Sequence, residues 1–172
     1  MWNRLAFVVL IVFCAVATRA ASAQTPSTPG PRELTALDYI EIQQLVARYP
    51  YGVDMHGGDG SAYAALFARN GSFGTQAKGR EQLEALAAKT STDRSGPAFT
   101  RHFVTNVVIK PSPGGATGRS YLVGIDVSEN GQPTTLLHGG HYDDVYVKTP
   151  EGWRIKSRTY TRSEIGPQPA AH

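Results

Sequence analysis

The chain changes period once, near Phe99, and that change limits what it can become. Up to about Lys89 the apolar residues recur at helical intervals. Beyond Phe99, residues 101–110, 116–128, 134–148 and 153–163 are rich in Val, Ile, Thr and Tyr. These four runs are separated by Pro111-Ser112-Pro113-Gly114-Gly115, by Glu129-Asn130-Gly131 and by Pro150-Glu151-Gly152. Connections this short join antiparallel neighbours. Helices followed by a run of strands define the α+β class. Strands of this length form a twisted sheet, and helices covering one of its faces make it curl around a cavity.

Three helices are expected ahead of the strands. Thr35 and Asp38 have the spacing of an N-terminal capping box, and Leu34, Leu37, Ile40, Leu45 and Val46 follow at helical intervals. Pro50 lacks an amide hydrogen and disfavours helical geometry at Tyr49, so the first helix should end or kink there, before Gly57-Gly58-Asp59-Gly60. Ser61 or Asp59 caps a short second helix that reaches Phe67, and Leu83, Leu86 and Ala87 mark a third from Arg80 to Lys89. Asn70-Gly71-Ser72 fits a glycosylation acceptor, but Asn-Gly is foremost a turn signal.

The ends do not belong to this fold. Met1 to Arg4 are a short basic start, Leu5 to Ala17 an apolar run of 13 residues, and Ala21-Ser22-Ala23 a small-residue site. A membrane-spanning helix needs about 20 apolar residues, so residues 1–23 read as a signal peptide cleaved before Gln24, the alternative being an uncleaved anchor interrupted at Arg19. The single cysteine, Cys14, lies inside the apolar run after Leu10-Ile11-Val12-Phe13, a poor lipoprotein box. The exported chain therefore has no disulfide and rests on its core. Residues 24–32 hold three prolines and no aliphatic side chain and form a linker. One domain at 33–165 and a flexible tail at 166–172 complete the chain. Loss of Arg4 and Arg19 takes the net charge from +3 to +1, so no basic run points to nucleic acid or to a membrane surface.

Tyr49 and Asp54 flank Pro50. A carboxylate beside a phenol is a workable acid/base pair if burial raises the carboxyl; alternatively Asp54 caps a turn and Tyr49 packs in the core. In Arg101-His102-Phe103-Val104-Thr105-Asn106, regular alternation puts His102, Val104 and Asn106 on one face. His138 and His141, three apart on a strand, face opposite ways and do not share a metal, and His56 with Asp59 lacks a third ligand. No metal site, phosphate loop, Gly-x-Ser-x-Gly elbow or cysteine nucleophile is present in the mature chain. Arg154, Arg158, Tyr160 and Arg162 read as one row of the last strand, solvated or paired to Asp143 or Asp144.

In order, these features resemble a known family. The segments are Asp38-Tyr39-Ile40-Glu41-Ile42-Gln43-Gln44-Leu45, Tyr49, Asp54, Leu66-Phe67, Gly71-Ser72-Phe73, Arg101-His102-Phe103, Asn106, Gly118-Arg119-Ser120-Tyr121-Leu122, Gly140-His141-Tyr142-Asp143-Asp144 and Gly152-Trp153-Arg154-Ile155. Over about residues 34–163 they look like the SnoaL-like domain of the nuclear transport factor 2-like superfamily. The pattern is nearest to the bile-acid 7α-dehydratases and more distantly similar to scytalone dehydratase. The resemblance implies a cone-shaped barrel of strongly curved, mostly antiparallel sheet with three N-terminal helices around an apolar pocket, the cystatin-like roll, often a homodimer through the sheet. It implies a catalytic set of His102, Asp54 and Tyr49, with Asn106, Arg162, His141 and Tyr121 around the substrate and no cofactor. The corresponding activity is a lyase of the dehydratase type, or an isomerase, on a small hydrophobic oxygenated molecule. An exported binding module or an accessory subunit of the same fold is the alternative. One departure stands out: the position of the family's second aspartate holds Gly124, with Asp126 nearby, so a steroid substrate does not carry over.

The export reading has a direct check. Mass spectrometry of the protein from its own host should find a chain that begins at or near Gln24, and an intact Met1–Ala23 segment would refute it.

Overall fold

A computed structural model describes residues 33–54, 58–92, 99–127 and 133–163. The expected signal segment, linker and tail, His56, and the turn at residues 129–131 lie outside the described residues. Helix α1 (Ala36–Asp54) is followed by α2 (Ser61–Ala64), β1 (Phe67–Phe73), β2 (Ala77–Lys78), α3 (Arg80–Thr92), β3 (Phe99–Ser112), β4 (Gly115–Val127), β5 (Pro133–Thr149) and β6 (Gly152–Ser163). The strands form one sheet in the order β2-β1-β6-β5-β4-β3. All pairs are antiparallel except β1 with β6.

The architecture is α+β with three helices, as expected, but the sheet does not close into a barrel. Closure would require β2 to pair with β3, and β2 is two residues long. At the other edge the His102 amide donates to Asp54 Oδ2 of α1 (2.8 Å) instead of to a further strand. Edge protection continues along β3 with a bulge after Thr105 and with Pro111, which has no amide hydrogen to offer.

Helix α1 starts at the expected capping box. The Asp38 amide donates to Thr35 Oγ1 (3.2 Å), while Asp38 Oδ2 accepts from the Thr35 amide (3.0 Å) and hydroxyl (2.8 Å). Asp38 Oδ1 takes the Lys148 ammonium (2.7 Å) and the Trp153 indole N–H (2.9 Å). One buried carboxylate thus ties the helix start to β5 and β6. That anchor sets the helix rotation: Asp38, Ile42, Leu45, Val46 and Tyr49 face the sheet, whereas Leu37 and Ile40, expected in the apolar stripe, are 59% and 54% exposed. The helix also runs past Pro50 to Asp54. The bond lost at proline is offset by packing of Tyr49 and Val53 against the core and by the hold of His102 on Asp54.

Strands β1 and β2 were not expected. Helix α2 stops at Ala64, short of Phe67, and the Asn70-Gly71-Ser72 segment read as a turn is strand interior. Gly71 makes this possible, because a Cβ there would come within 2.9 Å of the carbonyl oxygens of Ala68 and Ile155. Only glycine lets β1 lie this close to β6, and the ladder shifts register between Phe67 and Ser72.

Two further bulges decide which side chains face the helices. Between Thr105 and Val108 of β3 one extra residue is inserted, and Asn106 adopts φ 54°. Asparagine tolerates this left-handed conformation better than most residues. Inward positions change there from even (His102, Val104) to odd (Val107, Ile109), which pack on the core. On β6 an extra residue between Ile155 and Ser157 has the same effect, so Arg158 faces inward and Arg154 does not. Phe103, Val108, Tyr121 and Val145 remain 40–58% exposed on the outer face.

Asp38 makes stability depend on pH. The Lys148 ammonium, then Thr35 and Trp153, hold its carboxyl well below its ordinary value near 3.8. A group whose folded pKa is depressed stabilises fully above the unfolded value and loses that contribution as pH falls below it. Urea midpoints should therefore drop as pH falls below about 4 in the native protein. Asp38→Asn should be less stable at pH 7 and lose less on acidification; equal pH slopes for the two proteins would rule out this role.

Candidate functional site

Asp54 ends α1 and His102 lies near the start of β3, 48 positions later in the chain. Besides holding the His102 amide, Asp54 accepts from the ring: Nδ1 to Oδ1 is 2.5 Å. Both side chains are nearly buried, 8% and 7% exposed. A carboxylate only accepts, so Nδ1 carries the proton and the lone pair of the neutral ring is on Nε2. Asp54 therefore orients the imidazole and stabilises the imidazolium that forms if Nε2 takes a proton. Both residues border a cleft of about 520 Å³ between α1 and the free edge of β3. Its walls include Pro50, Tyr51, Phe103 and Val104, with Arg101 and Thr105 as the other polar groups. Sites for small ligands measure about 300–1,000 Å³.

Tyr49 stands edge-on to the His102 ring, with centroids 6.5 Å apart, but its hydroxyl is 2.9 Å from that of Tyr142. The Arg158 guanidinium lies 4.2 Å from the Tyr49 ring and 4.3 Å from the Tyr142 ring. Arg158 is fully buried and donates twice to Asp144, at 2.8 and 2.7 Å, and the Tyr146 hydroxyl donates to the same carboxylate at 2.6 Å. Burial raises the Tyr49 phenol above its ordinary range, and the Arg158 charge opposes this. Burial also raises Tyr142. Burial works against the Arg158 charge, but Asp144 together with Tyr49 and Tyr146 more than offsets it, and the guanidinium is held above its ordinary range.

The expected site residues fall into three groups. His102 and Asp54 are together, with Tyr49 behind them. Asn106, Tyr121 and His141 are on the outer face: Asn106 and Tyr121 line a groove there with Val108 and Arg119, and His141 Nε2 is 3.4 Å from Asp143 Oδ2. The β3 bulge carries Asn106 away from the His102 face. Arg162 is exposed, opposite Gly140 near the end of β6. Gly124, where the resembling enzymes have an aspartate, is directly opposite His102.

Sequence reasoning offered a pairing of a last-strand arginine with Asp143 or Asp144 as the alternative to a solvated row, and Arg158 does pair with Asp144. It missed that the pair is buried and that Tyr142 and Tyr146 gather about it. Alternation on β5 puts Tyr142, Asp144 and Tyr146 on one face, a readable signal. The inward turn of Arg158 depends on the β6 bulge, which no local motif marks.

Comparison with known proteins places the chain. Residues 34–159 match the model of the SnoaL-like domain, and the chain belongs to that family, which includes polyketide cyclases and dehydratases. An uncharacterized protein of Mycobacterium tuberculosis is 27% identical over 132 residues, covering 73% of this chain and 85% of the relative. Among solved structures, a protein of unknown function from Mycobacterium tuberculosis is 26% identical with a TM-score of 0.63, covering 75% of this chain and 73% of that one. A cystatin-like protein of unknown function from Nostoc punctiforme is 27% identical with a TM-score of 0.61, covering 77% and 96%. ActVI-ORFA from Streptomyces coelicolor, 22% identical with a TM-score of 0.66 over 77% of this chain and all of its own, shares the fold.

The buried ion pair yields a stability prediction. Asp144→Asn strands the Arg158 charge in the core and should cost about 3–5 kcal/mol, the range for breaking one side of a buried pair. Urea unfolding at pH 7 measures it, and a loss below about 1 kcal/mol would mean that the pair is not what holds the cluster.

Proposed function

We propose that the chain is a cofactor-independent acid/base catalyst, a lyase of the dehydratase type or an isomerase, acting on a small hydrophobic oxygenated molecule. The observation that carries this reading is the His102–Asp54 clamp at the border of a largely apolar cleft. In the reaction, His102 Nε2 removes a proton from a carbon made acidic by an adjacent carbonyl, and the electron pair is held as an enolate. Asp54 stabilises the imidazolium. Collapse of the enolate expels a hydroxyl that takes the proton from His102 and leaves as water; in an isomerase, a different carbon of the substrate receives that proton instead. Tyr51, Phe103 and Val104 supply apolar contact to the substrate.

A binding module is the second reading. It is favoured by the Tyr49 hydroxyl, which turns to Tyr142 and not to the His102–Asp54 pair, so the third expected catalytic group does not join the other two. The two readings part on one experiment. Native mass spectrometry of protein from its host identifies a retained ligand, which is then incubated with the enzyme. Conversion by the native protein should fall about 100-fold or more in His102→Ala and in Asp54→Asn. The double variant should lose far less than the product of the single losses, because both residues serve one proton path. A ligand recovered unchanged after long incubation would reject catalysis in favour of binding.

A further inference from the structure

We propose that a groove at the other end of the sheet is an oxyanion-binding site for a small molecule with an apolar body. Arg69 of β1, Arg80 at the start of α3 and Arg154 of β6 line one groove of about 600 Å³, whose floor includes Ala64, Phe67 and Ala68. Three guanidinium groups delivered by three separate elements meet a single lining carboxylate, Glu151. That carboxylate accepts from the Thr149 hydroxyl at 2.8 Å and is attracted to Arg154 and Arg69, and Arg80 is paired with Glu84, so the three guanidiniums exceed these two carboxylates by one charge.

Two of the guanidiniums are oriented in advance. Arg80 Nε donates to Glu84 at 2.8 Å, and Arg154 Nη1 donates to the Trp153 carbonyl at 2.8 Å. Each leaves further N–H groups of its planar fork for a ligand. Arg69 is exposed and has no ion-pair partner among the described residues. Ordering side chains before the ligand arrives reduces the entropy lost on binding, and a guanidinium fork matches the paired oxygens of a phosphate, sulfate or carboxylate. The first amides of α3 add positive potential on the same side.

The groove is independent of the dyad. His102 is opposite Gly124, which is opposite residue 138 of β5, whereas the groove reaches Thr149 of that strand. Eleven strand positions span roughly 35 Å of contour at about 3.3 Å each. An anion bound here does not touch the acid/base pair.

The probes are phenyl phosphate, benzoate and inorganic phosphate, each titrated at constant ionic strength with chloride as reference. The arginine Nε–Hε resonances of the full-length protein are followed by NMR. Saturable shifts of Arg69, Arg80 and Arg154 are expected, with phenyl phosphate or benzoate binding about 3- to 10-fold more tightly than inorganic phosphate because the ring rests on Ala65 and on the aliphatic stems of the arginines. The stronger of the two aromatic probes identifies the group as phosphate ester or carboxylate. Arg69→Gln alone should weaken binding severalfold, and Arg69→Gln with Arg154→Gln at least tenfold. His102→Ala should leave it unchanged. Shifts that grow linearly and equally with chloride, or binding that survives in the double variant, would overturn the site.

Discussion

An arginine with no access to water requires a carboxylate, and much of this fold is arranged around that requirement. Arg158 and Asp144 come from adjacent strands, and their bidentate pair is closed over by the rings of Tyr49 and Tyr142 and by the Tyr146 hydroxyl. Because Tyr49 belongs to α1, the same cluster fixes where that helix crosses the sheet. Asp38 fixes its other end through Lys148 and Trp153. A helix held at both places brings its last residue, Asp54, to the edge of β3. The His102–Asp54 pair thus depends on charges that lie outside it.

Asp54 and His102 show how a site is divided between helix and edge strand. An edge strand needs a partner for its outward amides, and Asp54 supplies one to His102 while its other oxygen sets the tautomer of the same residue. Closing the sheet with another strand would take up that amide. The open edge is therefore where the His102–Asp54 pair meets the cleft.

Much of the fold was legible because it rests on period and punctuation. The capping box at Thr35 and Asp38, the helix from Arg80 and the four long strands all follow from local chemistry. The two short strands were not legible: Asn70-Gly71 carries a turn signal, and only the close approach of β6 explains the glycine as strand interior. The rotation of α1 was hidden as well, since Leu37 and Ile40 fit a helical stripe that the long-range bonds of Asp38 override. At the site, Asp54 and His102 were each singled out by their own surroundings, the break at Pro50 and the alternation of β3, and the resemblance joined them into one set. Asn106 was assigned to their face by an alternation that its own backbone interrupts. The pairing of Arg158 with Asp144 was one of two readings of that row, but its place in the core depends on the β6 bulge, which no local motif marks.

The bulge at Asn106 has a consequence for evolutionary comparison. It is one residue of surplus length in β3, so a relative lacking that residue keeps His102 opposite the same β4 position, with Val107 and Ile109 still inward; it gives up only the local bend. The strand therefore tolerates a change of one in length here, where elsewhere a slip of one would turn every side chain over. A gap belongs at Asn106 when a shorter homologue is aligned. Placed further along, it would pair core residues with solvent-facing ones and make a conserved strand look diverged.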